Sequence, residues 1–342
     1  MLNELLAARH LPPLQTRDEM LSILQKEIYG TMPEAPDTIS FSFEEDLIPR
    51  FCAGKANLNR ITVSCTLRGK AFSFPFSAVL PTDGNVHPFF IHINFRDCVP
   101  DRYMPTEELV DNGFAVLSFC YKDVTSDDGD FTDGLAGILF PDGKRAPDSP
   151  GKIAMWAWAA QRVMDWAQTR PDALDLSRAI VCGHSRLGKT ALLTAAVDTR
   201  FAFGYSNDSG CSGAALARGT RGETVRDICR VFPFWFRENY LQFIDNESAM
   251  PFDQHFLLAC IAPRYCFVGS AAEDSWADPI SEQLACLAAS PAFQKGFVCD
   301  HAAQIGEAFL DGDIGYHMRK GRHYFSREDW QRLMEFVIGK GG

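Results

Sequence analysis

Ala179-Ile-Val-Cys-Gly-His-Ser-Arg-Leu-Gly-Lys-Thr-Ala-Leu192 is the stretch that decides the fold. Its first four residues are small or apolar and suit a short buried strand. Two glycines and a serine crowd its centre, and its last residues suit a helix. A serine at the bend between a buried strand and a helix is how a strained turn pushes a hydroxyl outward, with the helix N-terminus beneath any negative charge that develops there. The usual spacing is Gly-x-Ser-x-Gly. Here Gly188 comes one residue late and Leu187 stands in its place, so an ordinary helix capped by Ser185 is the competing reading.

Working outward, residues 17–29 space Met20, Leu21, Leu24 and Ile28 for a helix that Gly30 ends. Residues 38–43, 60–67 and 72–80 are rich in β-formers, with Gly69 and Lys70 as a hairpin turn between the last two. Residues 88–94 and 114–119 are continuous apolar runs, as buried parallel strands should be, and a helix over 106–111 lies between them. Residues 150–169 carry an apolar helical stripe in which Trp156 and Trp158 read as packing residues. After the serine turn come a strand over 201–206, a helix over 255–261, a strand over 264–268, a helix over 280–289, a weak strand near 296–299, a loop holding His317 and His323, and a terminal helix over 328–338. An antiparallel start followed by alternating strand and helix predicts an α/β fold of the α/β-hydrolase type: a mixed, mostly parallel central sheet with helices on both faces. We read one domain over 1–342, with residues 1–36 as an N-terminal helical extension and 216–251 as an aromatic-rich insertion over the active-site edge.

Hydrophobic content of 46% supplies a large core, and the net charge of −11 without a basic run argues against nucleic acid or an anionic membrane as partner. No stretch of about 18 apolar residues occurs, so no membrane span is expected. The N-terminus shows no secretory leader. The eleven cysteines include no Cys-x-x-Cys pair and fall mostly in apolar runs, which reads as reduced thiols in a cytoplasmic protein. The eight histidines show no metal-ligand spacing, so no metal is expected. Residues 121–150 are rich in Asp, Gly and Pro; without the Gly and Glu of an EF-hand loop they read as a solvated active-site loop.

A serine hydroxyl needs a base to take its proton and an acid to hold that base. In this fold the order along the chain is serine, acid, histidine. Of the histidines after Ser185, His323 lies best, on a loop just before the terminal helix, and His317 is next. Two places can supply the acid: Asp208, ending the strand after the nucleophile helix, or Glu273 and Asp274, ending the following strand. Position alone does not separate them.

Gly183-His-Ser-Arg-Leu-Gly-Lys189 resembles the Gly-Cys-Ser-Arg-x-Gly-Lys nucleophile turn of the glucuronoyl esterases, carbohydrate esterase family 15. Four further blocks agree in order: Ile153-Ala-Met-Trp-Ala-Trp-Ala159, Asn207-Asp-Ser-Gly210, Pro251-Phe-Asp-Gln-His-Phe-Leu-Leu-Ala-Cys-Ile-Ala-Pro-Arg264 and Arg322-His-Tyr-Phe325. The resemblance implies Ser185 as nucleophile, His323 as base, Asp208 as acid, where the family typically has the longer Glu, and Arg186 at the oxyanion; Glu273 and Asp274 are alternates because some bacterial members of the family use an acid at the later strand. It implies Lys189, Glu223 and Trp276 as contacts to the sugar, and no cofactor. The cysteines that flank the nucleophile and the histidine in fungal members are replaced together by His184 and Tyr324.

The function so implied is a serine-dependent carboxylic ester hydrolase acting on 4-O-methyl-glucuronoyl esters of plant cell-wall carbohydrate such as xylan, its partner a small-molecule or oligosaccharide ester. Two alternatives stay open: an acetyl-xylan-type esterase, and a catalytically weak carbohydrate-binding protein on the same fold.

Overall fold

The computed structural model describes residues 2–340. Its centre is a ten-stranded sheet: β1 (Thr38–Glu44), β2 (Ala56–Leu67), β3 (Lys70–Pro81), β4 (His87–Asn94), β5 (Ala115–Cys120), β6 (Leu174–His184), β7 (Phe203–Asn207), β8 (Tyr265–Ala271), β9 (Ala308–Phe309) and β10 (Ile314–Arg319), in the spatial order β1-β2-β3-β5-β4-β6-β7-β8-β10-β9. The first three strands are an antiparallel meander whose last member joins β5 antiparallel. From β5 through β10 the central pairs are parallel, and the two-residue β9 closes the far edge antiparallel. This is the mixed, mostly parallel sheet expected.

β4 and β5 are buried at every position because helices cover both faces of the sheet. Alternate residues feed two cores. Phe89, Ile91, Ile93 and Val181 pack with the helix Lys152–Ala167, whereas Phe90, Val116, Ile180 and Cys182 pack with Trp330 and Leu333 of the terminal helix Arg327–Gly339. Lys152–Ala167 is buried on nearly every side, Trp156 and Trp158 completely. It is covered outward by the acidic loop, the 216–251 segment and the N-terminal residues, so more than a stripe is enclosed. The helix Arg17–Leu24 continues as a π-helical turn over Gln25–Tyr29, and Met20, Leu24, Ile28 and Tyr29 join the main core. Residues 216–251 hold one helix, Val225–Val231, and three short 3-10 turns. Among the described residues no helix is long and apolar enough to cross a membrane.

Two expectations are corrected. Residues 296–299 form no strand, and the segment expected to be a loop around His317 is instead β10, the last parallel strand. All six residues of β10 are buried, including His317 and Arg319, which sit in an internal polar network. Those buried polar residues break the apolar pattern by which a strand is recognised. The acidic segment 121–150 also contains a short helix, Gly134–Leu139, that its Gly-rich sequence conceals.

Candidate active site

Ser185 stands between β6 and the helix Arg186–Val197 with φ 58° and ψ −127°. A non-glycine residue at positive φ is costly and persists only where the surroundings enforce it. The enforcement is local: the Ser185 N–H donates to the Asn207 carbonyl at 2.9 Å, and the Gly188 and Lys189 N–H groups donate to the Ser185 carbonyl at 2.9 and 3.2 Å. The hydroxyl makes no capping bond to the helix, which removes the competing N-cap reading. The late glycine has a steric cause. A Cβ on Gly183 would meet the Leu187 carbonyl oxygen at 2.3 Å, and one on Gly188 would meet Ser206 Oγ at 2.9 Å and Ser209 Cβ at 3.1 Å. The helix therefore packs on β6 and β7 through its third residue, so glycine is needed at 188 and Leu187 is free to face the core.

Two adjoining cavities meet at this serine. One, about 180 Å³, is lined by Ser185, Arg186, Lys189, Asp208, Glu223, Phe232, Trp235, Trp276 and His323 among others. The second, about 260 Å³, is lined by Ser185, Arg186, His323, His92, Phe95, Arg96, Tyr103, His184 and Tyr324 among others. Every residue expected at the site except Glu273 and the displaced His317 therefore lines a cavity with Ser185 or lies directly behind it. Both cavities open at the C-terminal ends of the parallel strands, where sheets of this kind hold their sites.

His323 Nδ1 lies 2.5 Å from Asp274 Oδ2. With the carboxylate accepting, the proton sits on Nδ1 and Nε2 keeps its lone pair. Asp274 is nearly buried, whereas His323 is half-exposed. Asp208, the acid expected from the resemblance, does not make this bond. One of its oxygens comes within 4.8 Å of the His323–Asp274 pair, but both oxygens are engaged elsewhere: Oδ1 accepts from the Ala271 N–H at 2.6 Å and Oδ2 from Arg319 at 3.3 Å. The short aspartate side chain ends inside the sheet beneath the histidine. Glu273 turns outward, 3.9 Å from the exposed Arg322. His317, the second candidate base, is enclosed by Tyr205, Asp329 and Phe267. Burial, with Arg319 adding to it, pulls its pKa down to about 3.

Arg319 is a functional residue the sequence reading missed. It is buried, paired with Asp329 at 2.7 Å and Asp208 at 3.3 Å, and it donates to the carbonyls of Lys320 and Arg322 at 3.0 Å and to that of Tyr324. One guanidinium thus fixes the loop that carries His323, and Asp208 serves as its anchor. The one signal available was a charged residue closing a short run four positions before the histidine. His184 packs against His323 with ring centroids 4.4 Å apart and bonds Asn207 Oδ1 through Nδ1 at 2.7 Å. Burial, then the neighbouring His323, pulls its pKa well below the ordinary imidazole value, so it is neutral.

The Arg186 guanidinium bonds Asp127 and lies against Trp235 (4.6 Å), Phe232 (5.1 Å) and Phe95 (5.7 Å), while its Nε is buried without a hydrogen-bond partner. Asp127 comes from the acidic loop, which is anchored rather than solvated: the fully buried Lys152 ammonium reaches Ser126 Oγ at 2.7 Å and the Asp130 carbonyl at 2.5 Å. Across the polar cavity, Lys189 bonds the carbonyls of Ser209 and Cys211 (the latter 2.6 Å). Burial lowers its pKa and Glu223 opposes that shift. Trp276 is 57% exposed, too open for a packing residue, and its carbonyl accepts the Glu223 N–H at 2.8 Å.

A strained serine on a strand-to-helix turn, with a buried aspartate behind a histidine on the loop after the last parallel strand, defines a serine hydrolase of the α/β-hydrolase fold. Comparison with known proteins narrows the class. The fungal glucuronyl esterase family model matches residues 63–295. A carbohydrate esterase from an unknown prokaryotic organism is 31% identical over 94% of this chain and 83% of its own length. A 4-O-methyl-glucuronoyl methylesterase of Podospora anserina is 27% identical over 77% of this chain and 52% of that protein. Among solved structures, a glucuronoyl esterase from Solibacter usitatus superposes with a TM-score of 0.87 at 29% identity, covering 96% of this chain and 92% of that one. The chain belongs to the glucuronoyl esterase family, carbohydrate esterase family 15, and is a carboxylic ester hydrolase.

Proposed function

We propose that Ser185, His323 and Asp274 are the catalytic triad of this esterase, that Arg186 stabilises the oxyanion, and that the acyl group is a uronic acid, as the name of the Podospora relative indicates for that protein. Ser185 Oγ attacks the ester carbonyl while His323 Nε2 takes its proton, and Asp274 holds Nδ1–H and stabilises the imidazolium. The carbonyl oxygen gains charge beside Arg186. His323 then returns the proton to the departing alcohol, and a water activated by the same nitrogen releases the acid. The observation that carries this reading is the 2.5 Å Asp274–His323 bond beside a serine held in the nucleophile conformation.

The two cavities differ in ways that support a division of labour. The smaller presents Lys189, Glu223 and an exposed Trp276, suited to sugar hydroxyls and a ring face. The larger presents Phe95, Tyr103 and Tyr324 and suits the alcohol portion. One argument for a catalytically weak protein is the short acid Asp208; with Asp274 on the histidine that argument falls. The family supports a glucuronoyl rather than an acetyl-xylan substrate, and all eleven cysteines stand as free thiols, which supports a cytoplasmic or otherwise reducing setting. The test is hydrolysis of benzyl glucuronate beside acetylated xylan. We expect turnover of the uronate and loss of it in Ser185→Ala; equal activity on the acetylated polymer, or indifference to the uronate, overturns the substrate assignment.

A further inference from the structure

The acidic loop holds more than a rim of the pocket. We infer that Asp127 is a positioning residue for the reaction: it fixes the Arg186 guanidinium in the orientation that leaves donors free for the oxyanion, and it does so because the loop bearing it is locked to the protein interior. The inference rests on the reading of Arg186 as an oxyanion donor.

An arginine side chain is long and, left to itself, samples many rotamers; a planar fork of five N–H groups gives specific stabilisation only if its plane is fixed beforehand. Here the plane is fixed twice over. Its faces are held by the Trp235, Phe232 and Phe95 rings, and one edge is bonded to a carboxylate that is only 6% exposed. That carboxylate has no freedom to follow the arginine. Tyr121 donates its hydroxyl to Asp127 Oδ2 at 2.8 Å and Trp235 donates Nε1–H to Oδ1 at 2.7 Å. The backbone on either side is tied down as well. The Ser126 N–H donates to Asp133 Oδ2 at 2.8 Å, and Lys152 draws Ser126 and Asp130 together. With one edge of the fork committed to Asp127 through Nη1, neither the buried Arg186 Nε nor Nη2 bonds another residue among the described ones, and the residue lines both cavities beside Ser185. The site therefore keeps an unspent donor beside the nucleophile. Asp127 touches no reacting atom; its effect passes through the arginine.

The experiment is a cycle of Asp127→Asn, Arg186→Ala and the double variant, with kcat and KM measured on benzyl glucuronate and thermal midpoints recorded for each. A donor displaced by about an ångström costs on the order of 100-fold in rate, so D127N is expected to lower kcat by about 10- to 100-fold with KM within about threefold. In the R186A background the same change is expected to lower kcat by less than about twofold, because the group it positions is gone. Equal losses in both backgrounds, or an unchanged or raised kcat in D127N while R186A is impaired, overturn the positioning role and leave the Arg186 reading standing. An unimpaired R186A overturns the Arg186 reading and with it this inference. Should D127N fail to fold, Trp235→Phe removes one N–H from the carboxylate while keeping an aromatic face on the arginine. A kcat loss confined to the Arg186 background supports the inference, and one equal in both overturns it.

Discussion

Replacing Asp274 by Asn and, separately, Asp208 by Asn should have opposite consequences, and the contrast is set by which carboxylate touches the histidine. The nearly buried Asp274 places Oδ2 2.5 Å from Nδ1 of the half-exposed His323. An amide there loses the charge that stabilises the imidazolium. If it turns its NH2 toward the ring, it also moves the proton to Nε2, where the base must act. In a serine protease triad the equivalent change lowers kcat about 10⁴-fold, which is about 5.4 kcal/mol of activation free energy. We expect about 10³- to 10⁴-fold for Asp274→Asn, with a thermal midpoint close to that of the parent. Asp208 differs in its partners. An amide can still accept the Ala271 N–H, but its NH2 would face the Arg319 guanidinium, leaving a buried cation with one carboxylate fewer. That costs about 1–3 kcal/mol of stability and, through a looser His323 loop, less than about tenfold in kcat. The assay is steady-state hydrolysis of benzyl glucuronate alongside thermal unfolding of both variants. A kcat loss in D208N as large as that in D274N, or a D274N variant within about tenfold of the parent, refutes the assignment.

Three further outcomes follow from the geometry. Lys189→Met and Trp276→Ala should raise KM for a uronate ester, while activity on a small ester without a sugar changes little, since both residues line the polar cavity and neither side chain bonds a triad residue; matched substrate kinetics check this. Gly183→Ala should destabilise by about 3 kcal/mol or more, because the new Cβ would meet backbone at 2.3 Å and nothing flexible can move aside; denaturant unfolding measures it. His92 is buried against Phe325 and Trp330, and burial lowers its pKa from 6.5 to about 4, with Asp101 opposing. A folded-state pKa below the unfolded one means that the unfolded chain binds the proton first. The stabilisation is therefore complete above about pH 6.5 and is lost as the pH falls toward 4, about 3 kcal/mol in all at 1.36 kcal/mol per unit. Thermal midpoints of His92→Gln should accordingly be flatter than the parent's over that range, and an unchanged slope counts against it.

Local sequence was enough for the elements that one periodicity or one turn defines. The strand–serine–helix stretch at 179–192, the apolar runs of β4 and β5, the meander at the start and the terminal helix all announce themselves, because burial on both faces or on one stripe leaves a regular pattern. The same stretch presents Ser185 as the proposed nucleophile and chain order with the loop before the last helix presents His323 as the proposed base, whereas Arg186 as an oxyanion donor is implied only by the family resemblance. The acid was not legible there. Asp208 and Asp274 both end parallel strands in β7–β8 and come close to the same imidazole, and the choice between them depends on the direction each side chain takes. Asp208 points into the sheet because Arg319, a residue 111 positions further along, needs a buried counter-charge. β10 was hidden for the related reason that His317 and Arg319 are polar residues in a buried strand, satisfied by partners from β7 and the terminal helix. Asp127 was one acid among several in a loop until folding set it against Arg186. Backbone conformation and burial pattern are local properties and were written in the sequence; the pairing of buried charges is decided by distance in space, and only the tertiary structure brings those partners together.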